Sequence, residues 1–339
     1  MKTIKSLIFS LLFLFLSFQA YAALELKLIE GLSAALPIAV IPFSGQGARQ
    51  ERIDQIISQD LYASGRFRTV QPAAGATETP TNQKAWRQWG VDYVVNGEIE
   101  RKDGDEYEVK FQLIDVVGQK SILLSEEYSV SATDLRRLAH KISDQVYYQL
   151  TGERGIFSTR VAYVRVEQPS ETSRRYILEV ADIDGDDPQP LVTSSEPMMS
   201  PAWSPNGQQI AYVSFEGERA QIYISDIVTG ERTQITSYPG INGAPVWSPD
   251  GEKLAVVLSK DGVPKIYTVD IASGSLQQLT YGMSIDTEPK WDAEGKYLLF
   301  TSDRGGSPQI YRLNTQDNQV KRLTFTGNYN ARANYSPDG

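Results

Sequence analysis

The 339-residue chain contains no cysteine. That excludes disulfide staples, thiolate chemistry, covalent haem attachment and cysteine-ligated metals. The omission is physically tolerable, since about 300 residues can bury large apolar cores without covalent cross-links. Histidine is almost as scarce. His140 is the only one, so a Ser-His-Asp triad would have to form around it, and no Gly-x-Ser-x-Gly accompanies it. A metal site built on histidine would need a second histidine or a His-Glu-x-x-His motif, and neither occurs. His140 is therefore read as a structural or surface residue. Basic charge is also short: 33 Lys and Arg face 42 Asp and Glu, for a net charge of -9. An acidic surface repels phosphate backbones and anionic headgroups, so nucleic acid is not expected as a partner. Gly45-Gln46-Gly47 lacks the third glycine and the Gly-Lys-Ser/Thr ending of a phosphate loop, and reads as a plain strand-to-helix connection. Asp182, Asp184, Asp186 and Asp187 lack the sixth-position glycine of a calcium loop and read as a hairpin turn. No catalytic, cofactor-binding or metal-binding residues are assigned, and the chain is read as no enzyme.

The start of the chain sets the compartment. Lys2 and Lys5 precede an apolar run from Leu7 to Phe18, and Ala20-Tyr21-Ala22 then offers small residues where a signal peptidase cuts. Cleavage is expected between Ala22 and Ala23, which leaves a mature net charge of -11. The run is shorter than the roughly 20 residues of a spanning helix, and no later segment is long and apolar enough to cross a bilayer. Export to a space outside the cytoplasm follows. Just after the cut, Leu24, Leu26 and Leu28 alternate with Glu25, Lys27 and Ile29. This is the period of a strand able to pair with a sheet edge, in this chain or in a partner.

Internal repeats dominate the second half. Trp203, Trp247 and Trp291 lie 44 residues apart, with Tyr335 at the next interval. The turns that follow them keep phase: Ser204-Pro205-Asn206-Gly207, Ser248-Pro249-Asp250-Gly251, Asp292-Ala293-Glu294-Gly295 and Ser336-Pro337-Asp338-Gly339. Each repeat reads as the four short strands of a propeller blade. In the second copy the strands are predicted near 245–248, 253–258, 264–270 and 276–280. A weaker copy, from Val161 to Thr193, precedes them. That makes at least four blades and the start of a fifth, and because Gly339 falls on a turn that should feed another strand, the sequence is read as a fragment. The aromatic at one fixed phase per blade is assigned to the core.

Residues 36–151 follow another grammar. Pro37 to Pro42 reads as a strand, and Ile53, Ile56, Ile57 and Leu61 fall on one helical face. A loop is predicted over 72–82 and strands near 91–101, 106–116 and 121–129. The last element is a helix capped by Thr133, with Leu135, Leu138, Ala139, Ile142, Val146 and Leu150 inward and Gly152 just past its end. The division is thus a signal peptide (1–22), an α+β domain with a mixed sheet and two main helices (23–151), a linker (152–159) and an all-β propeller of WD40-like blades (160–339), incomplete at its end.

These residues resemble the TolB family, periplasmic components of the Tol-Pal system. The carriers are Pro37-Ile38-Ala39-Val40-Ile41-Pro42-Phe43, the segment from Thr151-Gly152-Glu153-Arg154-Gly155 to Val161-Ala162-Tyr163-Val164, and Met199-Ser200-Pro201-Ala202-Trp203-Ser204-Pro205. The resemblance implies six PD40 blades in the complete protein, no catalysis and no cofactor, a monomer in the periplasm, and two partners. The propeller would bind the lipoprotein Pal, and the mature N-terminus, Leu24 to Ile29, would engage TolA. The implied role is outer-membrane invagination at division and outer-membrane integrity. One departure is Ile241, where several relatives carry histidine, which alters the chemistry of that contact.

Blade geometry places the Pal surface. Loops joining a fourth strand to the next blade open on one face near the axis, and here they differ from copy to copy, whereas the Ser-Pro-Asp-Gly turns of the other face are uniform. The docking face is therefore expected at Met198, Met199, Ile241, Asn242, Gly243, Ala244, Asp286, Thr287 and Glu288. Two other readings stay open: the propeller of an exported peptidase, which requires a hydrolase domain, and a glycan-binding propeller, which requires aromatics pointing out of a face.

Overall fold

The computed structural model describes residues 35–45, 52–70, 83–118 and 121–336. The signal segment 1–22, the junction Ala22–Ala23, the alternating stretch Leu24 to Ile29, Gln46, Gly47 and the predicted loop 72–82 lie outside the described residues. The chain forms two compact units, the second beginning at Ile156. No helix among the described residues is long and apolar enough to cross a membrane.

The first unit runs β1 (Leu36–Val40), α1 (Ile53–Ala63), β2 (Phe67–Thr69), α2 (Gln83–Gln88), β3 (Tyr93–Arg101), β4 (Glu106–Asp115), β5 (Ile122–Ser131) and α3 (Leu135–Thr151). Its mixed sheet has the order β2-β1-β3-β4-β5, parallel around β1 and antiparallel from β3 onward. Period-two alternation sorts the side chains. Tyr107, Val109, Phe111 and Leu113 of β4 are buried on one face, where Tyr128 of β5 stacks on Phe111 and its hydroxyl donates to Gln145 of α3 at 3.0 Å. On the other face Ala39, Ile41, Val94 and Ile114 pack with Trp86 of α2. That short helix and β2 were not predicted, because six and three residues are too few to show a period.

Helix α1 buries the predicted Ile53, Ile56, Ile57 and Leu61. In α3, Leu135, Leu138, Ala139, Ile142 and Val146 are buried, and Gly152 takes the left-handed conformation (φ 74°) that ends it. The Thr133 cap is not formed. Thr133 sits in a 3₁₀ turn over Ala132–Asp134 closed by the Leu135 N–H donating to Ala132 O; its hydroxyl lies 2.8 Å from Ser131 Oγ, which donates to Asp134 Oδ2 at 2.7 Å. His140 is buried, with Nδ1 2.8 Å from Asp60 Oδ2, so it ties α3 to α1.

The second unit contains β6 (Arg160–Ser170), β7 (Ser173–Asp182), β8 (Gln189–Ser194), β9 (Met198–Trp203), β10 (Gln209–Ser214), β11 (Gln221–Asp226), β12 (Arg232–Thr236), β13 (Asn242–Trp247), β14 (Lys253–Leu258), β15 (Lys265–Asp270), β16 (Leu276–Gln278), β17 (Asp286–Trp291), β18 (Tyr297–Ser302), β19 (Gln309–Asn314) and β20 (Val320–Arg322). They build three four-stranded antiparallel meanders and one three-stranded sheet, β6-β7-β8. The pairing of Ala162 with Val180 matches that of Ala211 with Ile224, so β6 to β8 are second, third and fourth strands, and no described residue fills the innermost place. Aspartates 182 to 187 form the predicted hairpin turn, with Asp182 N donating to Asp186 O at 3.0 Å.

Apolar layers between adjacent sheets hold the blades together. Leu178, Val180, Met198, Ile210 and Tyr212 fill the first junction. Val213, Ile222 and Ile224 meet Trp247, Leu254, Val256 and Tyr267 in the second, and Ala255, Ile266 and Leu279 meet Leu298, Phe300 and Tyr311 in the third. Central strands covered on both faces read as continuous apolar runs, as in Leu254-Ala255-Val256-Val257-Leu258. Trp247 belongs to this core, and Trp203 and Trp291 pack against it, as the repeat phase predicted.

Candidate protein-docking face

The antiparallel meander puts the turns between second and third strands at the same end as the loops that lead to the next blade. Those loops are residues 195–197, 237–241, 279–285 and 323–329. They carry most of the large exposed apolar side chains of this unit, Ile241, Tyr281, Met283, Ile285, Leu323, Phe325 and Tyr329, with Met199 of β9 beside them. Met283 is 86% exposed and Ile241 47%. The opposite end carries the tight turns, in which Ser248 Oγ donates to Asp250 Oδ1 at 2.5 Å and Glu252 N donates to the same oxygen at 3.0 Å. These bonds hold the Asp250 carboxyl below its ordinary range.

The predicted docking residues divide into two sets. Met199, Ile241, Asn242, Gly243 and Ala244 line one groove of about 390 Å³ together with Val213, Phe215 and Arg219. Thr287 and Glu288 are half-buried in β17, and Glu288 Oε2 accepts bonds from Thr301 Oγ1 and the Arg332 N–H. Met198, Asn242 and Asp286 need correction as surface residues, because all three are buried, Asn242 at 1% and Asp286 at 0% exposure. The innermost strands begin at Met198, Asn242 and Asp286, three residues before the predicted start in the second copy. Those first residues face back under the loop. Asn242 Nδ2 donates to Tyr238 O at 2.7 Å and Oδ1 accepts the Tyr238 N–H at 3.0 Å.

Asp286 is held by charge. Lys265 Nζ donates to Oδ2 at 2.8 Å and Arg304 Nη2 to Oδ1 at 3.0 Å. Burial acts to raise this carboxyl, and bonds from Lys265, Ser302 and Arg304 outweigh it, leaving the group below the ordinary carboxylate range. Sequence reading missed Lys265 and Arg304. The signal was present, since Gln221, Lys265 and Gln309 keep the 44-residue phase one strand away from Asn242, Asp286 and Asn330.

A second repeated feature lies two residues into β9, β13 and β17 and recurs at the same phase after β20. Ser200, Ala244, Glu288 and Arg332 all adopt positive φ, from 47° to 58°. The ladder register shifts at each of the first three positions, the mark of a bulge. Left-handed backbone costs a non-glycine residue about 1–2 kcal/mol. Four copies at one phase make it a property of the blade.

Comparison with known proteins follows the same division. The family model described as TolB amino-terminal domain matches residues 24–122, and the TolB beta propeller domain matches residues 147–339. The crystal structure of TolB from Acinetobacter baumannii aligns over 90% of this chain and 75% of its own, at 41% identity and a TM-score of 0.80. The chain belongs to the TolB family. Among curated relatives, the Tol-Pal system protein TolB of Legionella pneumophila (strain Corby) is 54% identical over 233 residues, 69% of this chain and 55% of the relative. The Coxiella burnetii protein of the same name is 49% identical over 235 residues, 66% of this chain and 53% of the relative. The chain thus spans about half the length of the curated relatives it matches.

Proposed function

We propose that the protein is a non-enzymatic periplasmic adaptor of the Tol-Pal system. It is exported by cleavage between Ala22 and Ala23, binds Pal through the loop face of a six-bladed propeller and engages TolA through Leu24 to Ile29. In this role it supports outer-membrane invagination and integrity. The observation that carries the Pal assignment is the concentration of exposed apolar side chains, Met199, Ile241, Met283 and Ile285, on one end of the blades. Solvent alone favours polar groups there, and contiguous apolar surface with flexible methionines suits a protein partner.

Calorimetry with soluble Pal tests the surface. Ile241→Asp and Met283→Asp should each weaken binding by about 2 kcal/mol or more, as central anchors do. Val228→Asp, on the opposite end, should leave affinity unchanged. Full-strength binding by both loop variants, with loss from Val228→Asp, would place Pal on the wrong face. Deleting Leu24 to Leu32 should abolish TolA capture while Pal binding survives. The exposed rings of Tyr281, Phe325 and Tyr329 support a second reading, a face that stacks sugars. Titration with peptidoglycan fragments separates the two: saturable binding lost in Tyr329→Ala would favour it over the Pal reading.

A further inference from the structure

The loop over 279–285 presents the most exposed apolar residue of the docking face, Met283, beside Tyr281 and Ile285. A segment with such side chains in water gains nothing from burying them, so its shape must be set from below. Ties converge on it from two neighbouring turns. Lys265 Nζ donates to the Ser284 carbonyl and to Ser284 Oγ, the latter at 3.2 Å, while also donating to Asp286 Oδ2. Ser284 Oγ donates to Asp286 Oδ1 at 3.2 Å, which Arg304 holds from the other side. The Ile285 N–H donates to Asp303 Oδ1 at 2.8 Å, and the Asp286 N–H to Pro264 O at 3.0 Å.

The adjacent loops are held by the same scaffold in neutral form. Asn242 reaches the backbone of Tyr238 and Gly240, and Ser259 Oγ accepts the Ile241 N–H at 2.7 Å. Gln309 donates to Gly327 O, while Asn330 donates to Gln309 Oε1 at 3.0 Å and to Thr326 O at 2.8 Å. Gln309 and Asn330 thus hold loop 323–329 through amides alone. A buried ion pair is on average no more stabilising than a neutral replacement. Its charge-assisted bonds are, however, shorter, stronger and more directional. What the ions add at Asp286 falls on the loop backbone and on Ser284.

We infer that Lys265, Asp286 and Arg304 are positioning residues, an ionic clamp that fixes loop 279–285 so that Met283 and Ile285 meet the partner already arranged. The inference rests on the Pal reading for its partner and on the geometry above for the clamp. A preordered loop loses less freedom on binding, so the clamp acts on affinity through side chains it never exposes.

Hydrogen exchange by mass spectrometry on the full chain, paired with calorimetry against soluble Pal, tests it. In Asp286→Asn, protection of amides 284–286 should fall at least tenfold while loops 237–241 and 325–329 exchange within twofold of wild type, and the Pal Kd should rise several-fold. The double variant Lys265→Gln with Asp286→Asn, which puts the residue types of Gln309 and Asn330 at these positions, should fold as well as wild type yet leave amides 284–286 exchanging at least threefold faster, and full recovery would show that charge is not what holds the loop. Ser284→Ala, which removes one loop hydroxyl and leaves both buried ions in place, should loosen the same amides alone and serves if Asp286→Asn does not fold. Unchanged exchange at 284–286, or an equal rise in all three loops, would overturn the clamp and leave an ordinary structural ion pair. A wild-type chain that does not bind Pal would count against the partner reading only, because the exchange comparison still decides the clamp.

Discussion

The repeated tryptophans offer a stability experiment in which the fold supplies its own control. Trp247 Nε1 donates to Ala202 O at 3.1 Å across the blade junction. Trp291, one repeat later, has its Nε1 buried without a hydrogen-bond partner among the described residues. Phenylalanine at either site removes a similar volume of ring, so transfer and cavity costs enter both with one sign. At 247 the change also deletes a bond worth about 1 kcal/mol and leaves the half-buried Ala202 carbonyl without that donor, at a further cost of about 1 kcal/mol. At 291 it removes an unsatisfied donor, which should return about 1 kcal/mol or more. Trp247→Phe should therefore cost about 2 kcal/mol or more beyond Trp291→Phe, or about 4–8 °C in Tm for a unit of this size. Trp247 is the more deeply buried ring, and its larger void adds to the same difference. Benzothienylalanine, which keeps the indole outline and replaces N–H by sulfur, isolates the hydrogen-bond part. Urea unfolding monitored by circular dichroism would read all four variants. Equal costs of the benzothienyl replacement at the two sites, or a larger cost at 291, would refute the reasoning.

Acid should weaken the propeller through Asp286. Its folded value is depressed, so its contribution is present at neutral pH and is lost as pH falls through the folded value, below about pH 4. The urea midpoint of the Lys265→Gln, Asp286→Asn double variant should fall less steeply from pH 5 to pH 3 than that of wild type, and parallel curves would reject the assignment. In the first unit, Asp60→Ala removes the 2.8 Å bond to buried His140 and should cost about 2–4 kcal/mol, read as a lower melting temperature, with Asp60→Asn milder. A methyl group at Gly97 would lie 2.4 Å from the Phe43 ring and 2.6 Å from Lys110 O. Gly97→Ala should destabilise by about 1–3 kcal/mol, and a neutral result in thermal unfolding would show that Phe43 moves aside freely.

Much of the architecture was legible along the chain because local rules repeat. A 44-residue phase shared by an aromatic, a turn and two strands can be met only by a stacked unit. The four-residue turns write themselves in Pro and Gly because φ must be preset and then reversed. The helical faces of α1 and α3 and the strands β3, β4 and β5 followed from period alone. Their ends fell within two residues of prediction. The same logic separated the end of the blades whose loops vary from the end whose turns are uniform.

Tertiary structure decided which residues at that end of the blades are exposed and which lie buried beneath the loops. From sequence, Asn242 and Asp286 are polar residues after a loop, and polar residues after loops belong outside. In the fold they open the innermost strand, turn under the loop and are buried against groups 4 to 21 residues away. Burial of a charge is allowed only where its partners converge, and Lys265 and Arg304 converge on Asp286 through strand pairing that no local window contains. The left-handed bulge at Ser200, Ala244, Glu288 and Arg332 was equally hidden, since four unlike side chains share one backbone conformation there. At the first three its cause is the ladder shift between the first and second strands, a constraint of the sheet rather than of any residue. The sequence by itself determined the repeat and the two folds, because those depend on composition and period. Which side chains are exposed at the loop end of the blades depends on register between strands, and only the assembled blades settle that.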